Sequence, residues 1–430
     1  MSRKSLVISG LVVLVMLLSL VPAFGCVTPA SPTPTKPPTP VKPEKVIIHH
    51  FGDLSGPYAP ITAPIVTGLA DFIEWFNAKG GIDGVPLEQM FRDTGGKLDA
   101  ALAAYAAFRE MKPKPIVVIL YGSAEAEALR ERFVEDKIFA FSCSPSPTAL
   151  YPPGYEFSTI PSYCDSIGAF IDWVTEDWAK KTGQKVKLAF LSWDSTYGRA
   201  IMVDEVRNYA REKGVEIVAE EVFGLRDMDV TTQLTRIKAK GANWVYDNTL
   251  AHAPGVISRS AKALGILNQD LYDTTPGTIH RASGPWGMDE SSIRLAGPLL
   301  EGIVGPRSFA SWAMTDVPGV KEAIASFEKH HRKPEERVMG YLVSWAAVYT
   351  IAHAIEGVVK ELGWGKLSGE TLREQFLKMK DFSPLGMTRY TFTADKPEPR
   401  QTRIFQVKGG KLLPITDWVT CPDLRPAKYR

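Results

Sequence analysis

The junction at residues 45–59 constrains this chain most. Lys45-Val46-Ile47-Ile48-His49-His50-Phe51 is a β-branched run and predicts a buried strand. It passes at once into Gly52-Asp53-Leu54-Ser55-Gly56-Pro57-Tyr58-Ala59, whose glycines, proline and serine predict a loop. Ile65, Leu69, Phe72, Ile73 and Phe76 then recur at helical spacing. Strand, loop and helix in this order open a doubly wound α/β domain, in which ligands bind at the carboxyl ends of the strands. The loop at 52–59 is therefore expected at a crevice.

The alternation continues. Strands are predicted at 85–92, 116–120 and 138–141, with helices at 100–111 and 124–134 between them, which makes one parallel-sheet lobe. After 157–161 a second series begins. It has helices at 167–178, to Lys213, at 231–240 and at 255–264, and strands at 186–192, 215–223, 243–246 and 271–274. The fold class is α/β, two doubly wound parallel-sheet lobes in tandem, an architecture suited to closing on a ligand. The tail differs. A short strand at 303–304 precedes helices at 319–331, 340–362 and 368–379, and the end is β at 390–392 and 402–418 with a turn at Gly409-Gly410.

At 430 residues, 45% hydrophobic, the chain suits two domains. Net charge is +2, and Arg3, Lys4, Lys36 and Lys42 supply +4 before Glu44, leaving −2 for the rest. A near-neutral body argues against nucleic acid as a partner. Residues 1–25 read as a signal peptide: Arg3 and Lys4 are its charged start, 6–21 its apolar core, and Gly25 precedes Cys26. A small residue before that cysteine resembles a bacterial lipoprotein cleavage site, so Cys26 is the expected lipidation point; an ordinary secretory signal with Cys26 incidental is the alternative. Residues 26–44 are dominated by Pro, Thr, Ser and Lys and read as an extended tether. Cys143, Cys164 and Cys421 remain, an odd number that allows at most one disulfide. Their spacing to histidines fits no zinc site, and no metal is expected.

Catalytic motifs are absent. There is no Gly-x-Ser-x-Gly elbow and no phosphate-binding Gly-x-x-x-x-Gly-Lys-Ser/Thr. His49 and His50 lie within the first strand, so one points inward and reads as a core histidine, and the pairs Glu125/Glu127, Glu220/Glu221 and Glu335/Glu336 read as exposed helix faces or strand ends. Ser55 and Tyr58, Ser123, Ser144 and Ser146, Trp193 and Tyr197, Asn248 and Thr249, and Thr274 and Thr275 all fall in strand-end loops. Hydroxyls, amides and rings recurring there can orient a small polar molecule and stack on its apolar part.

Residues 52–58, Phe76-Asn77-Ala78-Lys79-Gly80-Gly81-Ile82-Asp83-Gly84, Arg92-Asp93, the 142–150 segment, Tyr197-Gly198, 229–238 and the helix from Tyr341 to Glu356 together resemble the periplasmic binding proteins of the branched-chain amino-acid type, the receptors of ABC importers. The resemblance covers nearly all of the chain after the tether. It implies two lobes joined by three crossovers near residues 161, 303 and 384. Lobe one would then comprise 45–161 and 303–384, and lobe two 162–302 and 385–430. It further implies ligand contacts from Tyr58, Ser123, Ala124, Pro145, Ser146 and Tyr197; Trp193, Asn248 and Thr275, read from the strand-end loops, are the other expected contacts. The family's acidic residue for a ligand ammonium should follow the strand ending near Asp273, where this chain has Thr274, Thr275 and Pro276. That departure points away from an α-amino acid, and Tyr163 and Trp286 add stacking surface for an aromatic or branched solute.

The expected protein is an exported, monomeric, lipid-anchored solute-binding protein. It would deliver a small organic solute to an ABC permease by hinge closure, with no cofactor and no covalent chemistry. A cell-surface sensor on the same fold is the alternative, and a secreted hydrolase would need a nucleophile or metal cluster that the motifs do not supply.

Overall fold

Continuous apolar runs build the sheets. Val117–Leu120 and Phe139–Ser142 are buried along their whole length, as strands covered on both faces must be. The computed structural model describes residues 42–430. The expected signal peptide, Cys26 and all but the last three residues of the tether lie outside them.

The first sheet contains β1 (Val46–Gly52), β2 (Leu87–Asp93), β3 (Val117–Leu120), β4 (Phe139–Ser142) and β5 (Glu156–Ser158). Their order is β2-β1-β3-β4-β5 and every pair is parallel. The second contains β6 (Lys187–Trp193), β7 (Glu216–Phe223), β8 (Trp244–Asp247), β9 (His280–Ser283), β10 (Val304–Arg307), β11 (Gln401–Lys408), β12 (Lys411–Pro414) and β13 (Val419–Thr420). Its order is β12-β11-β10-β9-β8-β6-β7, with β13 also on β11. Strands β6 to β10 pair in parallel, while β11 runs antiparallel to β10, β12 and β13. The two doubly wound lobes are present, the second with an antiparallel edge.

The strand expected at 271–274 is a turn. The Asp273 carboxylate accepts from the Thr275 amide at 3.0 Å and from its hydroxyl at 2.8 Å, and Leu271 gives its carbonyl to Trp178 Nε1. The strand is β9, nine residues later. Its His-Arg-Ala-Ser sequence hid it, because the buried Arg281 is made tolerable by Asp247 on β8, 3.1 Å away.

The lobe boundaries also move. β10 pairs with β9 and β11, so the segment from 303 belongs to the second sheet until after Arg307. Tyr390 and Phe392, expected in lobe two, stack among Phe141, Phe157 and Phe376 of lobe one, with ring centroids 5.4–6.4 Å apart. The chain therefore crosses near 159–162, 308–317 and 393–400. The first and third crossovers lie side by side: Ser158 N donates to Pro397 O at 2.9 Å. Lys396 is buried there against Asp165, Glu398 and Asp423 at 2.5, 3.4 and 3.1 Å.

Helix Ala59–Ala78 buries Ile61, Ile65, Leu69, Phe72 and Ile73 against the long helix Met339–Leu362. The approach is close enough to require glycine. A Cβ on Gly68 would lie 2.5 Å from Ser344 Oγ, and one on Gly340 would lie 2.6 Å from the Ile61 carbonyl. Met339–Leu362 is long and apolar enough to cross a membrane, but most of it is packed in this core. His49 and His50 are both buried in β1. His50 Nδ1 meets the Tyr121 hydroxyl at 2.8 Å and Nε2 meets Gln89 at 3.0 Å. Burial lowers the pKa of His49 to about 4 and that of His50 to about 3, so both are neutral. Cys143, Cys164 and Cys421 are free and buried.

Candidate functional site

The carboxyl ends of both sheets meet at one cavity of about 300 Å³. Lobe one supplies the loop after β1, the start of the helix after β3 and the turn after β4. Lobe two supplies Ser195, Thr196 and Tyr197 after β6, Leu250 after β8 and Trp286 after β9. Tyr163, at the start of the first helix after the crossover, completes the wall.

The β1 loop is built around Asp53. Its carboxylate accepts from the backbone amides of Ser55 at 2.9 Å, Tyr58 at 2.8 Å and Gly56, while Thr62 Oγ1 donates to its carbonyl. A side chain at Gly56 would collide with the Gly95 carbonyl at 2.5 Å, and Gly96 sits at φ +70° against the Asp53 carboxylate. These two glycines and the acid hold Tyr58 over the cavity. Across the cleft, the Tyr58 ring meets Trp193 of lobe two edge to face at 6.2 Å.

Ser123 and Ala124 begin helix Ser123–Asp136, which starts with its amides at the cavity. The Ser123 hydroxyl is buried and has no hydrogen-bond partner, so it is free for a ligand. Glu125 folds back onto this helix start and accepts from Gly122 N at 2.7 Å. It lines the cavity rather than lying on an exposed face, which corrects the solvent-facing expectation. Burial pushes its carboxyl pKa up, against the pull of the amides.

The aromatic wall is fixed from behind. Tyr197 Oη donates to the Thr249 carbonyl at 3.0 Å, Asn248 Nδ2 donates to the Tyr197 carbonyl at 2.7 Å, and Tyr163 meets Tyr197 edge to face at 5.1 Å. With the Tyr121 hydroxyl engaged by His50 and that of Tyr197 by Thr249, ring surface is what these two tyrosines offer. Cys143 and Ser144 line the cavity, and burial pushes the Cys143 thiol up to about 12.

Tyr58, Ser123, Ala124 and Tyr197 thus line the cavity. Trp193 and Asn248 stand behind it as supports. Ser146 faces away, donating to Glu127 at 2.6 Å and capping the turn Pro147–Leu150; Pro145 gives its carbonyl to the Tyr163 amide at 3.3 Å. Thr275 lies in its exposed turn and does not line the cavity. With β9 in its observed place, the residue after the strand that reaches the cavity is Trp286. Asp53, Tyr121 and Glu125 join the lining without having been singled out as ligand contacts. The Asp53 signal was present in the loop motif, whereas nothing local marks Glu125. Among the described residues, no lysine, arginine or histidine lines this cavity.

The periplasmic binding protein family model matches residues 46–411. The leucine-, isoleucine-, valine-, threonine- and alanine-binding protein of Pseudomonas aeruginosa is 24% identical over 310 residues, covering 71% of this chain and 76% of the relative. A branched-chain amino-acid ABC transporter protein from Thermus thermophilus with bound valine superposes with a TM-score of 0.79 at 22% identity, covering 90% of this chain and 98% of that one. A solute-binding protein of an ABC transporter from Rhodopseudomonas palustris, in complex with 3,4-dihydroxybenzoic acid, superposes with a TM-score of 0.72 at 15% identity, covering 90% and 100%. With most of its length matched by that family model, this chain belongs to the periplasmic binding protein family.

Proposed function

We propose that this protein captures a small organic solute between its lobes outside the cytoplasm and delivers it to an ABC permease. The family and fold are those of solute-binding proteins rather than enzymes. The observation that carries the reading is a cavity walled by both lobes, with an unpartnered buried hydroxyl, Ser123 Oγ, at its edge. A solute touching Tyr58, Ser123 and Ala124 on one side and Tyr197 on the other stabilises the closed arrangement by differential contact. In this reading the protein works as a monomer, with Cys26 as its lipid attachment point and 26–44 holding the binding unit off the membrane. Small-angle scattering and thermal unfolding of the soluble chain against a broad solute library test it. A binding solute is expected to raise the melting temperature and to shrink or hold constant the radius of gyration. A library of amino acids, organic acids, amides and amines with no stabilising member overturns it.

A further inference from the structure

This inference rests on the solute-binding reading and names the solute class. Two carboxylates line the cavity, Asp53, held by three amides of its own loop, and Glu125, and among the described residues no basic side chain accompanies them. The start of helix Ser123–Asp136 is where amides and the helix dipole would hold an acidic ligand group. Here the protein's own Glu125 already sits against that helix start and takes the Gly122 amide. Its carboxylate lies so close over that residue that a Cβ there would come within 2.2 Å of it. A ligand carboxylate would face the Glu125 carboxyl group in a partly desolvated space with no cationic side chain in the described lining.

Among the described residues, the lobe-two lining of the cavity holds no charged side chain. Asp247, the acid at the end of β8, is consumed by Arg281 at 3.1 Å, the Thr249 hydroxyl at 2.5 Å and the Ser283 hydroxyl at 2.7 Å. What that side presents instead is aromatic surface from Tyr197 and Trp286, beside Tyr163, opposite Tyr58 and Tyr121. These rings, with the Tyr197 and Tyr121 hydroxyls committed to Thr249 and His50, offer negative π-faces, the surface that stabilises an organic cation. The unpartnered Ser123 hydroxyl, 5% exposed as a residue, adds an acceptor for an ammonium proton.

We infer that the cleft selects an organic cation without a carboxylate: a protonated or quaternary amine on a small apolar body, held by Glu125 at its charge and by the aromatic walls around it. The test is isothermal titration and thermal unfolding of the soluble chain with matched sets that share one apolar body. The first set is 3-methylbutylamine, leucine and 4-methylpentanoate. The second is 2-phenylethylamine, phenylalanine and 3-phenylpropanoate, and choline stands alone. In at least one set the amine binds about tenfold or more tighter than its partners, and Glu125→Gln weakens that amine by about tenfold. The wild-type ranking alone decides if the variant does not fold. An amino acid or acid binding tighter than its matched amine overturns this inference while leaving the solute-binding reading standing. Failure of every amine, choline included, also overturns it. Failure of these sets together with the broad library overturns both.

Discussion

Replacing Lys396 by methionine tests the joint between the lobes. Lys396 is 4% exposed and faces Asp165 and Glu398, both fully buried, and Asp423, which is partly exposed. The carboxylates have other partners: Leu424 N at 2.8 Å for Asp165, the Tyr151 hydroxyl at 2.6 Å and the Ser162 amide for Glu398. Methionine keeps most of the volume but leaves two buried acids without a counter-charge, a loss of about 3–5 kcal/mol. Denaturant unfolding at about pH 8 should therefore show the folded-to-unfolded ratio falling by roughly 100-fold or more.

The loss depends on pH, and its sign follows from Asp165. Burial, then the neighbouring Glu398 charge, push its pKa from 3.8 up to about 7 against the pull of Lys396. An acid with a raised folded pKa binds more protons folded than unfolded. Its contribution is fully present below about pH 4 and is lost as pH rises through about 7. Protonation relieves the stranded charge, so the Lys396→Met penalty shrinks at about pH 5, toward roughly 1–2 kcal/mol. A variant within about 1 kcal/mol of the parent at pH 8 would refute the reasoning, because a lysine that can be removed so cheaply is not what makes these buried acids tolerable.

Other expectations follow from the same geometry. Ser123→Ala leaves unfolding of the solute-free chain unchanged, since Ser123 Oγ has no partner, yet weakens solute affinity by about 1 kcal/mol; calorimetry on the two states separates these effects. Gly68→Ala costs about 1–3 kcal/mol in denaturant unfolding, because the new Cβ meets Ser344 Oγ at 2.5 Å and the Tyr341 carbonyl at 2.8 Å. His49 and His50, with folded pKa values lowered by burial to about 4 and about 3, contribute stability that is present above about pH 6.5 and lost as pH falls; their imidazole NMR resonances should not titrate between about pH 5 and 8. The thiols of Cys164 and Cys421 are buried and unpaired away from the cavity, so a thiol reagent should label them only after unfolding.

The opening strand, its loop and the helix behind it were legible because each has its own period and the glycines mark the switch between them. Tandem βα order gave the two lobes for the same reason. What escaped depends on partners distant in sequence. β9 reads His-Arg-Ala-Ser, and only the Asp247 carboxylate 34 residues earlier makes that a buried strand. β10 sits in the second sheet because β11, nearly a hundred residues later, pairs with it. Tyr390 and Phe392 follow the helical tail into lobe one through rings contributed by Phe141, Phe157 and Phe376. At the cavity, residues beside conspicuous turn motifs, such as Tyr58 and Tyr197, could be placed at strand ends. Glu125 could not, since Ala-Glu-Ala-Glu has the spacing of a solvated helix face and only the fold-back onto Gly122 turns it inward.

The ionic knot at Lys396 also limits how the two halves can travel. It ties the third crossover to the start of the lobe-two helix Tyr163–Trp173 through Asp165, and Glu398 ties the same crossover to Tyr151 of lobe one and Ser162 of the first. Sliding one half past the other, or drawing the crossovers apart, would strand charge in an apolar setting. Rotation about an axis through Lys396 would not. If the lobes swing as the proposed capture requires, the knot would act as a pivot pin, holding the neighbouring backbone in place and fixing the register in which Tyr58 and Trp193 meet.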